Sequence, residues 1–380
     1  MEYITLKDIA IINMGQSPDS KTYNEEKEGI PFYQGKSDFG KINPIPRVWC
    51  SNPIKIAEKE DILISVRAPI GDTNIATERC CIGRGLASIR PLNENVNQKY
   101  LYYLLNSKYK ELNKFGTGST FKAITKDNLC NLKCTHIPDI KEQIEVVNKL
   151  DNVSKIIAIK KEQLEQLNTI IKSQFVEMFG NVNDNKNSYE IKTLSEVFEF
   201  IKDGTHSTPT YTDDKINGIK FLSAKDVTKG IINWENIKYI PLELHEQLVK
   251  RVKPQKDDIL LAKNGTTGVC AKVDRDEIFD IYVSLALLRP KEGYLVDYLV
   301  QAINNDMTKE QFDRSLKGVG VPNLHLGEIQ KVKIIVPPIK LQNKFADIVK
   351  QIDKQKFESM IKAKKEIVKI QKNIFYKWGR

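Results

Sequence analysis

From Asp139 to Phe179 the apolar positions Ile140, Ile144, Val147, Leu150, Val153, Ile157, Leu164, Leu167, Ile171, Phe175 and Met178 recur at gaps of mostly three and four, with no Pro or Gly until Gly180. That spacing predicts one long amphipathic helix with a narrow apolar seam, the pattern of helix-to-helix packing. At ~1.5 Å per residue such a helix reaches roughly 60 Å. A second run, from about Leu341 to Trp378, puts Phe345, Ile348, Ile352, Ile367, Ile370 and Ile374 on its seam, with a weaker middle over Lys354–Lys365. Neither helix can bury its seam alone, so the economical arrangement pairs them antiparallel. The alternative is that each seam binds another protein.

Ahead of each helix the pattern changes to short β-type runs broken by Gly and Pro, such as PFYQG, DILISV, TNIAT and LASIRP. VRAPIGD and KNGTTGV read as hairpin connections in which Pro69 and Gly71, or Asn264, Gly265 and Gly268, supply the turn geometry. Tyr100–Ser107 and Tyr298–Asn305 read as short helices. The organisation expected is a module over 1–138, a helix over 139–181, a second module over 182–337 and a last helix over 338–380.

The two halves repeat each other at an offset of about 190 to 200 residues. DILISVRAPIG (Asp61–Gly71) pairs with DILLAKNGTTG (Asp258–Gly268), TLKDIA (Thr5–Ala10) with TLSEVF (Thr193–Phe198), and GIPF (Gly29–Phe32) with GIKF (Gly218–Phe221). LASIRP (Leu86–Pro91) pairs with LALLRP (Leu285–Pro290), IPDIKEQ (Ile137–Gln143) with VPPIKLQ (Val336–Gln342), and FVEMFG (Phe175–Gly180) with IFYKWG (Ile374–Gly379). A period this long is a duplicated domain with its connector and not a solenoid unit. A shared frame with different loops suits a reader of two different things.

Composition adds limits. The net charge of +10 favours a polyanionic partner. Most of it sits on the last helix, where Ile339–Arg380 carries 12 basic and 4 acidic residues, so any nucleic-acid surface on the modules is local. No apolar run approaches the ~18 residues of a membrane helix. The start, MEYITLKDIA, is unlike a secretion signal, and a cytoplasmic protein is expected. Six cysteines without C-x-x-C spacing read as reduced thiols, and Cys130, Cys134 and His136 lack the second ligand pair of a zinc site. Cys130 and Cys134 are expected as buried strand thiols.

The order module, helix, module, helix resembles the specificity subunits of type I restriction–modification systems. The resemblance spans essentially the whole chain. It rests on the duplication, the I/V-P-x-I-K-x-Q junctions, the aromatic helix ends, and the GTGSTF (Gly116–Phe121) and GVGVPN (Gly318–Asn323) stretches. The second junction has Leu341 where the family has Glu, which touches helix capping. The resemblance implies an α+β fold of two similar target-recognition domains joined by a pair of long antiparallel helices, a coiled-coil-like spacer with pseudo-twofold character. It further implies that each domain reads half of a bipartite double-stranded DNA target, and that the helices dock two adenine methyltransferase subunits, which the restriction (motor-nuclease) subunits join. No catalytic residue, cofactor or metal is expected in this subunit.

The residues agree with that role. No N-P-P-Y or D-P-P-Y tetrapeptide is present to hold an adenine amino group, and no Walker-A lysine follows Gly116–Thr120. Base reading is expected where matching copies differ: before the turn at Ser65, Val66 and Arg67 against Ala262, Lys263 and Asn264, and in the loops Tyr33–Lys36 and Leu222–Lys225. The DNA-binding candidates are Gln34, Lys36, Arg67, Lys122, Lys225, Lys263, Asn264, Lys317 and His325. Arg and Lys donate to guanine O6 and N7, while Asn and Gln pair with adenine. Two other readings stand beside this one: a self-contained DNA methyltransferase or nuclease, and a coiled-coil adaptor without DNA contact.

Overall fold

In the computed structural model, residues 4–116, 123–134, 137–185, 187–228, 230–316 and 323–378 are described, with side chains of the last helix to residue 370. The chain groups into two compact units, residues 1–158 with 365–380 and residues 159–364.

The first unit is built on β1 (Ala10–Met14), β2 (Ile30–Tyr33), β3 (Ile62–Ser65), β4 (Thr73–Ile75), β5 (Cys80–Ile82) and β6 (Leu86–Pro91). One antiparallel sheet has the order β1-β6-β3-β4. A second, mixed sheet places β2 beside β5 in parallel, with Phe32 opposite Cys81. Every residue of β3 is buried, because its sheet is covered on both faces. Ile62 and Ile64 share a core with Leu101 and Leu105 of α1 (Gln98–Ser107), while Leu63 packs with Tyr33 and Ile82 of the second sheet. Such strands read as continuous apolar runs, as DILISV does. A one-residue slip would exchange these faces, and each buried Leu or Ile contributes ~1.5–3 kcal/mol, so the register is firmly set.

The first long helix, α2, runs over Ile140–Phe179 and stops at Gly180, whose φ is +72°. In the first unit its start is tied to α1 by Lys99 and Tyr103, which reach the Asp151 carboxylate at 2.6 and 2.7 Å.

The second unit carries the same frame: β7 (Phe198–Asp203), β8 (Ile219–Leu222), β9 (Ile259–Ala262), β10 (Cys270–Lys272), β11 (Phe279–Ile281) and β12 (Leu285–Pro290). Its antiparallel sheet has the order β7-β12-β9-β10, and β8 lies parallel to β11. The helix after the L-A-L-L-R-P strand is α3 (Val296–Asn304), which starts two residues before the expected Tyr298 and ends one residue before the expected Asn305. Asn305 leaves it to cap the next helix, accepting the N–H of Met307 at 3.0 Å. The last helix, α4, spans Ile339–Trp378. Within this unit the end of α2 and the start of α4 share one core, where Phe175 and Phe179 meet Phe345, each at 5.5 Å between ring centroids, and Tyr298. The matching side chains of IFYKWG lie outside those described.

The repeated strings have physical causes. Gly71 and Gly268 both hold positive φ, +88° and +78°, at the ends of the β3–β4 and β9–β10 connections. A Cβ there would press on Tyr109 or Phe312. Asp61 is bound by Arg90 at 2.6 Å, and Asp258 by Arg289 at 2.8 Å, so the D-I-L and R-P strings are two ends of one ion pair whose carboxylate is buried and whose arginine reaches the surface. At the junctions, Glu142 N–H is accepted by the Asp139 carboxylate at 2.9 Å, whereas Leu341 N–H turns to the Pro338 carbonyl at 2.8 Å. Leu341 itself packs against the core, which accounts for an apolar residue there. Cys134 is a buried strand thiol as expected, but Cys130 ends the short helix Lys126–Cys130 and is only partly buried.

Candidate nucleic-acid interface

In each module the turn after the first hairpin strand, the loop after the parallel strand and the residue before β6 or β12 are held together by matching backbone bonds. In the first, Val66 N–H is accepted by Gly85 O at 2.9 Å and Gly83 N–H by Tyr33 O at 2.8 Å. In the second, Lys263 N–H is accepted by Ser284 O at 2.8 Å and Tyr282 N–H by Leu222 O at 2.8 Å. A further strand edge closes the set: Ile124 N–H reaches Val66 O, and Leu324 N–H reaches Lys263 O, both at 2.9 Å. Arg67 then bridges Ala123, and Asn264 bridges Asn323, in antiparallel single-residue pairings.

Each loop after the parallel strand is folded over an acid. Asp38 accepts the N–H of Gln34 at 2.7 Å, and Asp226 accepts that of Ser223 at 2.8 Å. These caps form 3-10 turns over Lys36–Asp38 and Ala224–Asp226. They leave Gln34, Lys36 and Lys225 exposed. Ala224 N–H is accepted by the Ser284 hydroxyl at 3.0 Å, which joins the Lys225 turn to the strand edge that carries Lys263.

Six of the nine candidates therefore lie on matching loops, Gln34, Lys36 and Arg67 in one module and Lys225, Lys263 and Asn264 in the other. His325 is exposed and caps the helix Leu326–Lys331, next to the Leu324 that bonds Lys263. Lys122 and Lys317 fall outside the described residues, as do Gly318–Val321, Pro322 and most of Gly116–Phe121. The candidates differ in freedom. Arg67 is exposed. Lys36 stands 2.8 Å from the Asp72 carboxylate, and that hydrogen bond holds its pKa above the ordinary lysine value.

Lys263 departs from the picture of an exposed reader. It is buried, with its ammonium 2.8 Å from Asp203. Burial works to raise the Asp203 pKa, but Lys263 and then His206 outweigh it and hold it below the ordinary carboxylate value.

Two residues missed from the sequence belong beside these loops. Arg84 is exposed between Gly83 and Gly85, and its N–H and Nε approach the Ser17 hydroxyl at 3.3 and 3.4 Å. The signal was there, since G-R-G directly precedes LASIRP. Arg251 donates to Asp203 at 2.6 Å, but it lies in a segment without counterpart in the first module, so comparison of copies could not find it.

No helix among the described residues is long and apolar enough to cross a membrane. The family model described as type I restriction modification DNA specificity domain matches residues 1–169 and again 186–369. The MjaIX specificity subunit of Methanocaldococcus jannaschii, a type I restriction enzyme, is 24% identical over 394 residues, covering 97% of this chain and 89% of its own. The MjaX relative from the same organism is 45% identical over 156 residues, 41% of this chain and only 36% of its own length. The solved HsdS subunit from Thermoanaerobacter tengcongensis is 44% identical over 43% of this chain and 39% of its own, with a TM-score of 0.39.

Proposed function

The chain belongs to the family of type I restriction–modification DNA specificity domains, and from that premise we propose that each of its modules reads one half of a divided DNA target. The observation that carries this reading is the contrast inside the candidate interface. Backbone bonds match position for position between modules, while the side chains beside them that reach the surface do not: Arg67 against Asn264, Gln34 against Ser223. A conserved frame with substituted tips gives two sequence preferences from one docking geometry.

On this reading the long helices set the separation of the half-sites and dock two adenine methyltransferase subunits, with restriction subunits joining them. A helix holds such a distance where a Gly/Ser linker would let it vary, and register matters because half-sites one turn apart lie ~34 Å from each other. The methyl transfer itself belongs to the partner, since a base must be flipped out of the duplex into a catalytic pocket.

The test is methylome sequencing of cells with and without this chain. A bipartite modified-adenine motif that vanishes with the chain is expected. A methylome indifferent to its removal overturns the reading. Methyl transfer by the purified chain alone, with labelled methyl donor and DNA, overturns the non-catalytic role.

A further inference from the structure

Asp203 ends β7 with a buried carboxylate on which three basic side chains converge. Lys263 Nζ lies 2.8 Å from Oδ2, Arg251 Nη2 2.6 Å from Oδ1, and His206 Nε2 3.2 Å from Oδ2. The three are not alike. The Lys263 side chain is 6% exposed, whereas those of Arg251 and His206 are 55% and 62% exposed. The neighbouring acid, Asp280, is already engaged by His245 Nδ1 at 2.7 Å and does not compete for them.

Register shows what the first module has instead. Asp203 stands opposite Ala286 as Met14 stands opposite Ala87, and Lys263 occupies the place of Val66 in the matched backbone bonds. The same frame therefore closes over an apolar Met14 and Val66 in one module and over an ion pair in the other. A buried ion pair is seldom more stabilising than apolar residues of similar volume, so folding alone gives no reason for the charges. Lys263 neutralises the carboxylate from below. Arg251 is then held at its outer side by a single nitrogen, beside an exposed histidine, in a module-specific positive spot next to the Asn264 turn.

We propose that Asp203 is a positioning residue that presents Arg251, with His206 beside it, to a backbone phosphate of duplex DNA at the second module alone. The proposal rests on the DNA-reading function above. A phosphate accepts donors from several directions and asks only for placed positive charge, which positions the duplex without reading its sequence. Lys263, being enclosed, acts through Asp203 and touches no base.

The test uses the full-length chain assembled with its methyltransferase partner and a fluorescent 40-base-pair duplex of random sequence, with anisotropy read over a series of salt concentrations. Arg251→Gln is expected to lower the slope of log K against log salt by about 0.9, the loss of one phosphate contact, and Arg251→Lys to retain it. Arg314→Gln, at another exposed arginine of the same module, serves as the control. Asp203→Asn makes the spot more positive, so bulk electrostatics predicts tighter binding, whereas a positioning role predicts weaker binding to every duplex. An Arg251→Gln slope equal to that of the unaltered assembly, or Asp203→Asn binding as tight or tighter, overturns the proposal. An unaltered assembly with no salt-dependent binding at all overturns the DNA-reading function itself.

Discussion

The Gln143 side-chain oxygen accepts the backbone N–H of Asn97 at 2.7 Å, and its amide donates to the carbonyls of Asn95 and Pro138 at 2.8 and 2.7 Å. Gln342 repeats the arrangement, accepting from Leu295 N–H at 3.2 Å and donating to Pro337 O at 2.8 Å. Both are fully or almost fully buried. Each glutamine fastens the first turn of a long helix to the segment that starts α1 or α3, which is why the junction string recurs in both copies. Gln143→Leu strands a buried N–H and two carbonyls. A loss of about 1–3 kcal/mol is expected, read as a lower urea midpoint without loss of helical circular dichroism.

The buried ends of β3 and β9 make a second prediction. Arg289 Nε and Nη2 both donate to Asp258, each at 2.8 Å, and the carboxylate is almost inaccessible. Arg289→Ala leaves that charge without its partner, so about 3–5 kcal/mol of stability should vanish. Asp258→Asn with Arg289→Gln replaces the charges by polar amides and should recover much of the loss. Chemical unfolding of the single and double variants checks this. A double variant as weak as Arg289→Ala would mean that the ionic charge itself is required.

Much of this architecture was legible because it depends on period and repetition. The three-and-four spacing from Ile140 to Met178 gave α2, and the paired Asp61–Gly71 and Asp258–Gly268 strings gave the equivalent hairpins. The Lys263 environment was not legible. Its partner Asp203 is 60 residues away on β7, and only the register between strands brings the two together. Arg251 escaped for a related reason, since a residue in an unmatched segment cannot show a difference between copies. Cys130 ends a helix where a strand is expected, because a short apolar stretch such as NLCNLKC carries no period that separates helix from strand.

Acid should reveal the Asp203 cluster. Its pKa is depressed in the folded chain, with Lys263 and His206 overcoming the opposite pull of burial. A depressed carboxylate stabilises the fold above its ordinary pKa, and that contribution disappears as pH falls through the folded value. The urea midpoint of the second unit is expected to decline as pH drops from about 5 to about 3. Asp203→Asn should flatten this limb by removing the titrating group. An unchanged pH profile would show that other carboxylates account for the acid sensitivity.

Arg67 and Asn264 occupy equivalent places beside Ala123 and Asn323, so substituting one should leave the other module's preference intact. Arg67→Ala is expected to relax selectivity within one half of the modified motif, by about 1–3 kcal/mol at the affected base pair, and Asn264→Ala within the other half. Methylome sequencing of cells carrying each variant separates the outcomes. A uniform fall in modification over every sequence would instead mark a phosphate contact.

The Met14 and Val66 pair of the first module supplies a template for emptying the charged site in the second. Lys263→Val alone leaves Asp203 buried with Arg251 and His206 reaching it only from the outer side, and should destabilise the fold by roughly 3–5 kcal/mol. Asp203→Met alone strands the enclosed ammonium and should cost a similar amount. Together they restore the apolar residues that the first module carries at these two places, Val66 in its core and Met14 packed against it. The double variant should therefore fall short of the sum of the singles by several kcal/mol, since the two positions are in direct contact. Unfolding measurements on all four proteins close the cycle. Additive losses would mean that Lys263 and Asp203 are independent, and that the register equivalence with Met14 and Val66 has no energetic content.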